Sequence, residues 1–320
     1  MFILKKSPEK DFIILNITDP QLSDEESETD HLYYKIFDDT MKKLLDRVHP
    51  DLITVTGDIS WSHCPIAHKR FCDYMDALGV KWAPVWGNHD CDMPGTREPK
   101  VVEFFGRKNC LFENGDERFG NGNYIIRIDE GEKPVEALFM LDSHDRMPYI
   151  DEKGEEKTAW AKLYPEQIEW MKKEAKAMPC ECSVFLHIPI YAYREAFAAA
   201  FRGDEYDPRA VKVEESADTK FWRYGGCSGV MNEEERICSY PEDDGAMAAI
   251  EDAGNIRLIV CGHDHTNNFI IPWRGVKFVY GLKTGAGCYW KPDMSGGTVI
   301  TIGSSGVKDV HHEFVEPLRG

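Results

Sequence analysis

The chain has 320 residues, 42% hydrophobic and 29% charged, the balance of a soluble globular protein rather than a disordered one. Its formal net charge of −18 argues against nucleic acid as the main ligand, because polyanion binding rests on Lys and Arg neutralising phosphates. No stretch approaches the roughly 20 apolar residues of a membrane span, and ten cysteines without a C-x-x-C pair, behind an N-terminus that lacks a secretory segment, predict reduced thiols and a cytoplasmic protein.

In chain order, residues 12–17 form an apolar run of strand length that feeds Thr18-Asp19-Pro20-Gln21. An acidic loop at 23–30 precedes a helix over 32–48, where Leu32, Ile36, Phe37, Met41, Leu44, Leu45 and Val48 fall at helical spacing. A short strand at 52–56 ends at Gly57-Asp58, a helix over 66–78 stops at Gly79, and a strand at 81–86 leads into Gly87-Asn88-His89-Asp90. This β-α-β-α-β order predicts a parallel sheet flanked by helices, with ligands beyond the carboxyl ends of the strands. A short helix at 99–105 and strands at 124–128 and 136–141 follow. Pro165 then opens a helix that runs to about 178.

A strand at 183–186 leads into His187-Ile188-Pro189. Residues 201–240 have weak periodicity and read as a loop insertion. A helix over 243–253 and a strand at 256–261 precede Gly262-His263-Asp264-His265, and a hairpin of 268–272 and 276–281 turns at Arg274-Gly275. A last strand is expected at 297–302. The polar pieces must meet in space, and they span most of the chain. One domain over 1–320 is therefore expected, with the insertion at about 201–240.

Taken singly, these pieces are unremarkable: Asp19 before Pro20 reads as a turn residue, and His187 as a core histidine. In sequence they make a set. Asp19, Asp58, Asn88, His187, His263 and His265 supply the carboxylate, amide and imidazole donors that divalent metals take. Asp58 is the candidate bridge between two ions, with Gly57 allowing a tight turn before it. His263 and His265 are two apart and can serve one ion each, while Asp264 points away or steadies the loop. His89, followed by Asp90, has the form of a proton donor to a leaving alkoxide. Tyr191, Tyr193, Arg194, His144 and Arg146 are weaker candidates for a pocket wall, and Cys91 is a neighbour rather than a ligand. His311 and His312 read as surface residues.

The order Asp19, Gly57-Asp58, Gly87-Asn88-His89-Asp90, His187 and Gly262-His263-Asp264-His265 resembles the calcineurin-like metallophosphoesterase superfamily over about residues 12–285. The stretches Cys261–Asn268 and Tyr280–Gly285 look like its compact branch, related to plant purple acid phosphatase-like proteins and bacterial Icc-type phosphohydrolases. The resemblance implies a four-layer α/β/β/α sandwich of two mixed sheets. It also implies two divalent metal ions (Mn, Fe or Zn), one on Asp19, Asp58 and His265 and the other on Asp58, Asn88, His187 and His263. His89 would be the leaving-group acid, oriented by Asp90, in hydrolysis of a small phosphorylated substrate by metal-activated hydroxide.

Two positions depart from the family pattern. Gln21 stands where the family has a histidine, which makes it a weak candidate ligand. Trp61 falls where a purple enzyme has its metal-bound tyrosine, so a purple ferric centre is not expected. An alternative follows from Gln21: a protein-binding scaffold on the same fold, weakly catalytic or not catalytic at all. A nuclease is disfavoured by the acidic charge.

Overall fold

The computed structural model describes residues 1–24, 27–200 and 237–318, together with strands at 212–216, 219–224 and 227–230. The first third of the chain alternates strands and helices: β1 (Phe2–Lys6), β2 (Phe12–Ile17), α1 (Glu28–Val48), β3 (Leu52–Thr56), α2 (Pro65–Ala77), β4 (Lys81–Val85) and α3 (Arg97–Phe105). The acidic stretch expected as loop becomes helix from Glu28 onward. The Ser27 hydroxyl accepts from the Asp30 amide, and Glu28 and Asp30 suit the positive end of the helix.

The middle adds β5 (Tyr124–Glu130), β6 (Lys133–Met140), β7 (Arg146–Ile150), β8 (Glu156–Trp160), α4 (Pro165–Ala177), β9 (Glu181–Phe185) and α5 (Ala192–Ala200). The remainder comprises β10 (Lys212–Ser216), β11 (Thr219–Tyr224), β12 (Cys227–Val230), α6 (Ala246–Ala253), β13 (Ile256–Cys261), β14 (Ile270–Trp273), β15 (Val276–Tyr280), β16 (Gly296–Gly303) and β17 (Gly306–Phe314). The stretch expected as an insertion at 201–240 thus contains the antiparallel β10-β11-β12 sheet, and the rest of it up to 236 lies outside the described residues.

Two large mixed sheets carry the architecture. One has the order β17-β16-β2-β3-β4 and the other β1-β5-β6-β9-β13-β15-β14. Within them β2-β3-β4 and β6-β9-β13-β15 run parallel. β3 is buried along its whole length, as a parallel strand covered on both faces should be. The apolar residues form two cores. The first lies between the sheets and beneath α1, α2 and α3 (Leu15, Val55, Phe37, Phe71, Leu138, Val260), and the second lies between the larger sheet and α4, α5 and α6 (Ala137, Met171, Val184, Tyr193, Ile250, Phe278). These are the four α/β/β/α layers implied by the resemblance.

The β14–β15 hairpin turns at Arg274 (φ 48°) and Gly275 (φ 79°), the left-handed pair of a tight hairpin turn. Besides β10, β11 and β12, five elements have no counterpart in the sequence reading: β1, the two strands of the exposed β7–β8 hairpin, α5 and β17. β17 also corrects the reading of His312, which is half-buried rather than on the surface. One ring nitrogen pairs with Thr298 Oγ1 at 3.0 Å and the other with the Asn268 carbonyl at 2.8 Å. His311, its neighbour on the other face of the strand, is exposed.

Candidate metal centre

Five strands from both sheets deliver the candidate residues at their carboxyl ends: β2 to Asp19, β3 to Asp58, β4 to Asn88, β9 to His187, and β13 to His263 and His265. The loops there are tight. Asp19, Gln21, Asp58 and His263 all have left-handed backbone (φ 52°, 45°, 52° and 82°), each a strained conformation that long-range contacts must hold. A Cβ on Gly87 would lie 2.1 Å from the Asp58 amide nitrogen and 2.2 Å from its Oδ1, so only glycine lets the β4 loop approach the candidate bridging carboxylate.

Asp19, Asp58 and His265 each bring a ligand atom within 4.8 Å of the other two. His187 Nε2 gathers the remaining candidates. It lies 3.0 Å from Asn88 Oδ1, 3.4 Å from Asp58 Oδ1 and 3.3 Å from His263 Nδ1. All six residues are buried.

The tautomers follow from backbone carbonyls, which only accept. The His187 Nδ1–H donates to the Thr56 carbonyl (2.8 Å), and the His265 Nδ1–H donates to the Tyr289 carbonyl (2.8 Å). Both rings therefore turn Nε2 into the site. Burial lowers the His265 pKa to about 4, aided by the charge of Lys283, so its Nε2 bears a lone pair at neutral pH. Burial raises the Asp19 carboxyl, but His265, His187 and Lys283 outweigh it and bring it to about 2. The outcome is an ionised oxygen, Asp19 Oδ1, 3.3 Å from an imidazole lone pair.

Two acceptors at that distance repel unless a proton or a metal ion lies between them. Asp19 Oδ1 and His263 Nε2 are also buried without a hydrogen-bond partner. Burial pushes Asp58 up, yet the His187 charge and hydrogen bond, with His89, hold it well below the usual carboxylate range. Asp58 in turn raises His187 against burial to about 9. Without metal a proton on His187 Nε2 satisfies this half of the site, and a metal ion would displace it. An orphaned carboxylate oxygen, with carboxylate, amide and imidazole donors gathered beside it, fits divalent ions.

Two sequence expectations are overturned. Asp90 does not orient His89: its buried carboxylate accepts from the Gly87 amide (2.8 Å) and the Ser60 amide (3.0 Å). It closes its own turn through Gly87 and ties that turn to the loop after β3 through Ser60. The carboxylate facing His89 is Asp92, whose Oδ2 lies 3.5 Å from His89 Nδ1. His89 is half-buried against Trp61 (ring centroids 4.7 Å apart), and its amide donates to Asp58 Oδ1 (2.9 Å).

Gln21 is not placed as a ligand. Its Oε1 accepts from Lys283 Nζ (2.8 Å), which fixes the amide's orientation because an ammonium only donates, and Nε2 therefore points to Asp58 Oδ2 (3.2 Å). Asp264 steadies the loop as expected, accepting from the Tyr280 hydroxyl (2.6 Å) and the Cys238 amide (2.9 Å).

The weaker candidates divide. Tyr193 packs in the core with its hydroxyl on the Ile259 and Val279 carbonyls, Arg194 is bound to Ser239, and His144 pairs with Gln167. Arg146 lies over the Trp160 ring (3.9 Å), and Trp160 stands edge-on to His263 (4.4 Å), so this pair borders the site.

Sequence reasoning missed Lys283, Lys100 and Tyr289. Lys100 is buried and staples the Asp90 loop to the Ser60–Trp61 backbone, donating to the Asp90 and Trp61 carbonyls and to Ser60 Oγ. Tyr289 stacks on His265 at 4.1 Å. No local periodicity marks such residues, since each partner comes from a distant loop.

The pattern of calcineurin-like phosphoesterases matches residues 13–267. The chain belongs to that family. Among curated relatives, "Probable inactive purple acid phosphatase 28" of Arabidopsis thaliana is 26% identical over 282 residues, covering 79% of this chain and 63% of that protein. "Phosphatase DCR2" of Saccharomyces cerevisiae is 23% identical over 256 residues, covering 72% of this chain and 38% of that protein. The chain thus spans less than two thirds of the length of these relatives. The crystal structure of a dimetal phosphatase from Danio rerio aligns with a TM-score of 0.53 at 13% identity, over 95% of this chain and 98% of that one, and so shares the fold. Among the described residues no helix is long and apolar enough to cross a membrane.

Proposed function

We propose that this calcineurin-like phosphoesterase is a metal-dependent hydrolase of small phosphate esters. The observation that carries the proposal is the facing of Asp19 Oδ1 and the His265 Nε2 lone pair across 3.3 Å. Asp19, Asp58 and His265 would hold one divalent ion, and Asp58, Asn88, His187 and His263 the other. Ions so held supply positive charge to phosphoryl oxygens and lower the pKa of water.

The remaining work falls to the chain's own residues. The Asp58 carboxylate lies between the two groups of donors and fixes their separation. Thr56 and Tyr289 carbonyls lock the His187 and His265 rings. His89, on the half-buried rim, would give a proton to the leaving alkoxide, with Asp92 beside its Nδ1. Burial of the donors excludes water from all but the substrate face.

The scaffold reading is favoured by Gln21, which gives its oxygen to Lys283, and agrees with the "inactive" in one relative's name. Hydrolysis of p-nitrophenyl phosphate and bis-p-nitrophenyl phosphate separates the readings. Chelated protein is reloaded with Mn, Fe(II), Zn, Mg or Ca. Turnover that needs metal and falls about a thousandfold or more in Asp58→Asn is expected, the several kcal/mol that a metal centre supplies. The preferred substrate then distinguishes monoester from diester chemistry. No turnover, with no ion bound, would leave the scaffold.

A further inference from the structure

The two halves of the centre are built differently, and Lys283 makes the difference. Its ammonium is buried and donates to the Asp19 carbonyl (2.8 Å) and to Gln21 Oε1 (2.8 Å). Gln21 passes the contact on, its Nε2 reaching Asp58 Oδ2. The segment bearing Lys283 runs beside the Asp19 loop: the Thr284 amide donates to the Thr18 carbonyl (2.9 Å), and a Cβ on Gly285 would lie 2.1 Å from the Pro20 carbonyl oxygen. The backbone that carries Lys283 is thereby held against the Asp19 loop.

We infer that Lys283 is a fixed cation of the centre and that the Gln21 amide is the strut joining it to Asp58, so that the Asp19/Asp58/His265 half takes its metal ion more weakly than the Asn88/His187/His263 half. Three features of the site act in the same direction. The first half has three protein donors and the second has four, with Asp58 common to both. The Gln21 amide already donates to Asp58 Oδ2 and so competes for the lone pairs of the shared carboxylate. The ammonium already offsets part of the carboxylate charge that attracts a divalent ion, and it repels that ion across a low-dielectric interior. The protein would then carry one ion at low metal concentration and two only when metal is abundant, which makes metal supply a control on the centre.

The inference rests on the proposed metal centre, and equilibrium binding of Mn2+ to the chelated full chain tests the two apart. Free Mn2+ is counted by electron paramagnetic resonance, so the readout needs no turnover. Two ions per chain are expected, with dissociation constants at least tenfold apart. His265→Ala should remove only the weaker step. Lys283→Gln keeps hydrogen-bond donors but drops the charge, and Gln21→Glu neutralises the lysine and removes the donor from Asp58. Each should tighten the weaker step fivefold or more.

Two equal sites in the wild-type chain would overturn the inference and leave the proposed function standing. So would unequal sites that neither variant brings closer while both keep the wild-type circular dichroism spectrum. Failure to bind any ion would overturn the proposed function and this inference with it.

Discussion

Buried carboxylates occur at both ends of the sheets, and their fates are opposite. At the carboxyl ends Asp19 and Asp58 stay ionised at neutral pH, because imidazole rings, amides and an ammonium face them. Near the amino end of β9, Glu136 of β6 has no exposure, accepts from Ser183 Oγ (2.8 Å) and from the Val307 amide, and has Glu181 nearby. Burial raises its carboxyl to about 8. The same desolvation acts at both ends, and the partners decide whether the charge survives. A buried acid that stays ionised therefore marks a place where cations belong, whereas one that takes up a proton marks a structural position.

The comparison can be sharpened first at the ionised end. His89→Ala should cut hydrolysis of alkyl phosphates by about a hundredfold, the usual worth of a positioned acid. It should barely affect p-nitrophenyl esters, whose leaving group needs no proton. Steady-state rates on the two substrate types check this, and equal losses on both would remove His89 from the acid role.

At the neutral end, Glu136→Gln should stabilise the fold at pH 8 by on the order of 2–4 kcal/mol. The sign follows from the direction of the shift. A carboxyl raised from 4.5 to about 8 favours the folded state fully only below pH 4.5. Stability then falls as pH climbs from 4.5 through 8. Urea unfolding at pH 5 and pH 8 should show that loss in the wild type and not in the variant. A variant with the wild-type pH dependence would place the titration elsewhere.

The smallest effect is expected at Asp92, which is two-fifths exposed. Asp92→Asn should lower turnover of alkyl phosphates about two- to fivefold, the worth of a solvent-screened pair, and should leave turnover of p-nitrophenyl esters unchanged. An equal loss on both substrate types would make Asp92 a packing residue only.

The types of residue at the site were legible because the chemistry requires them. Strand after strand ends in a carboxylate, an amide or an imidazole, and an apolar run followed by glycine and a donor can be read locally. The parallel β-α-β-α-β start was legible from its apolar strands, and the four-layer order came from the family resemblance. What could not be read is where each polar atom turns.

Asp90 directly follows His89 in the chain and so looked like its partner, yet two backbone amides claim both its oxygens. Gln21 carries a donor oxygen and so looked like a ligand, yet a lysine 262 residues away takes that oxygen. Sequence by itself determined the β-α-β-α-β start, the candidate donor residues and the proton-donor candidate, because these depend on residue type and local periodicity. Only the tertiary structure decided the tautomers, the direction of the Gln21 amide, the partner of His89 and the presence of Lys283. Each of these is a contact between loops from separate strands, and its geometry exists only once the two sheets are packed.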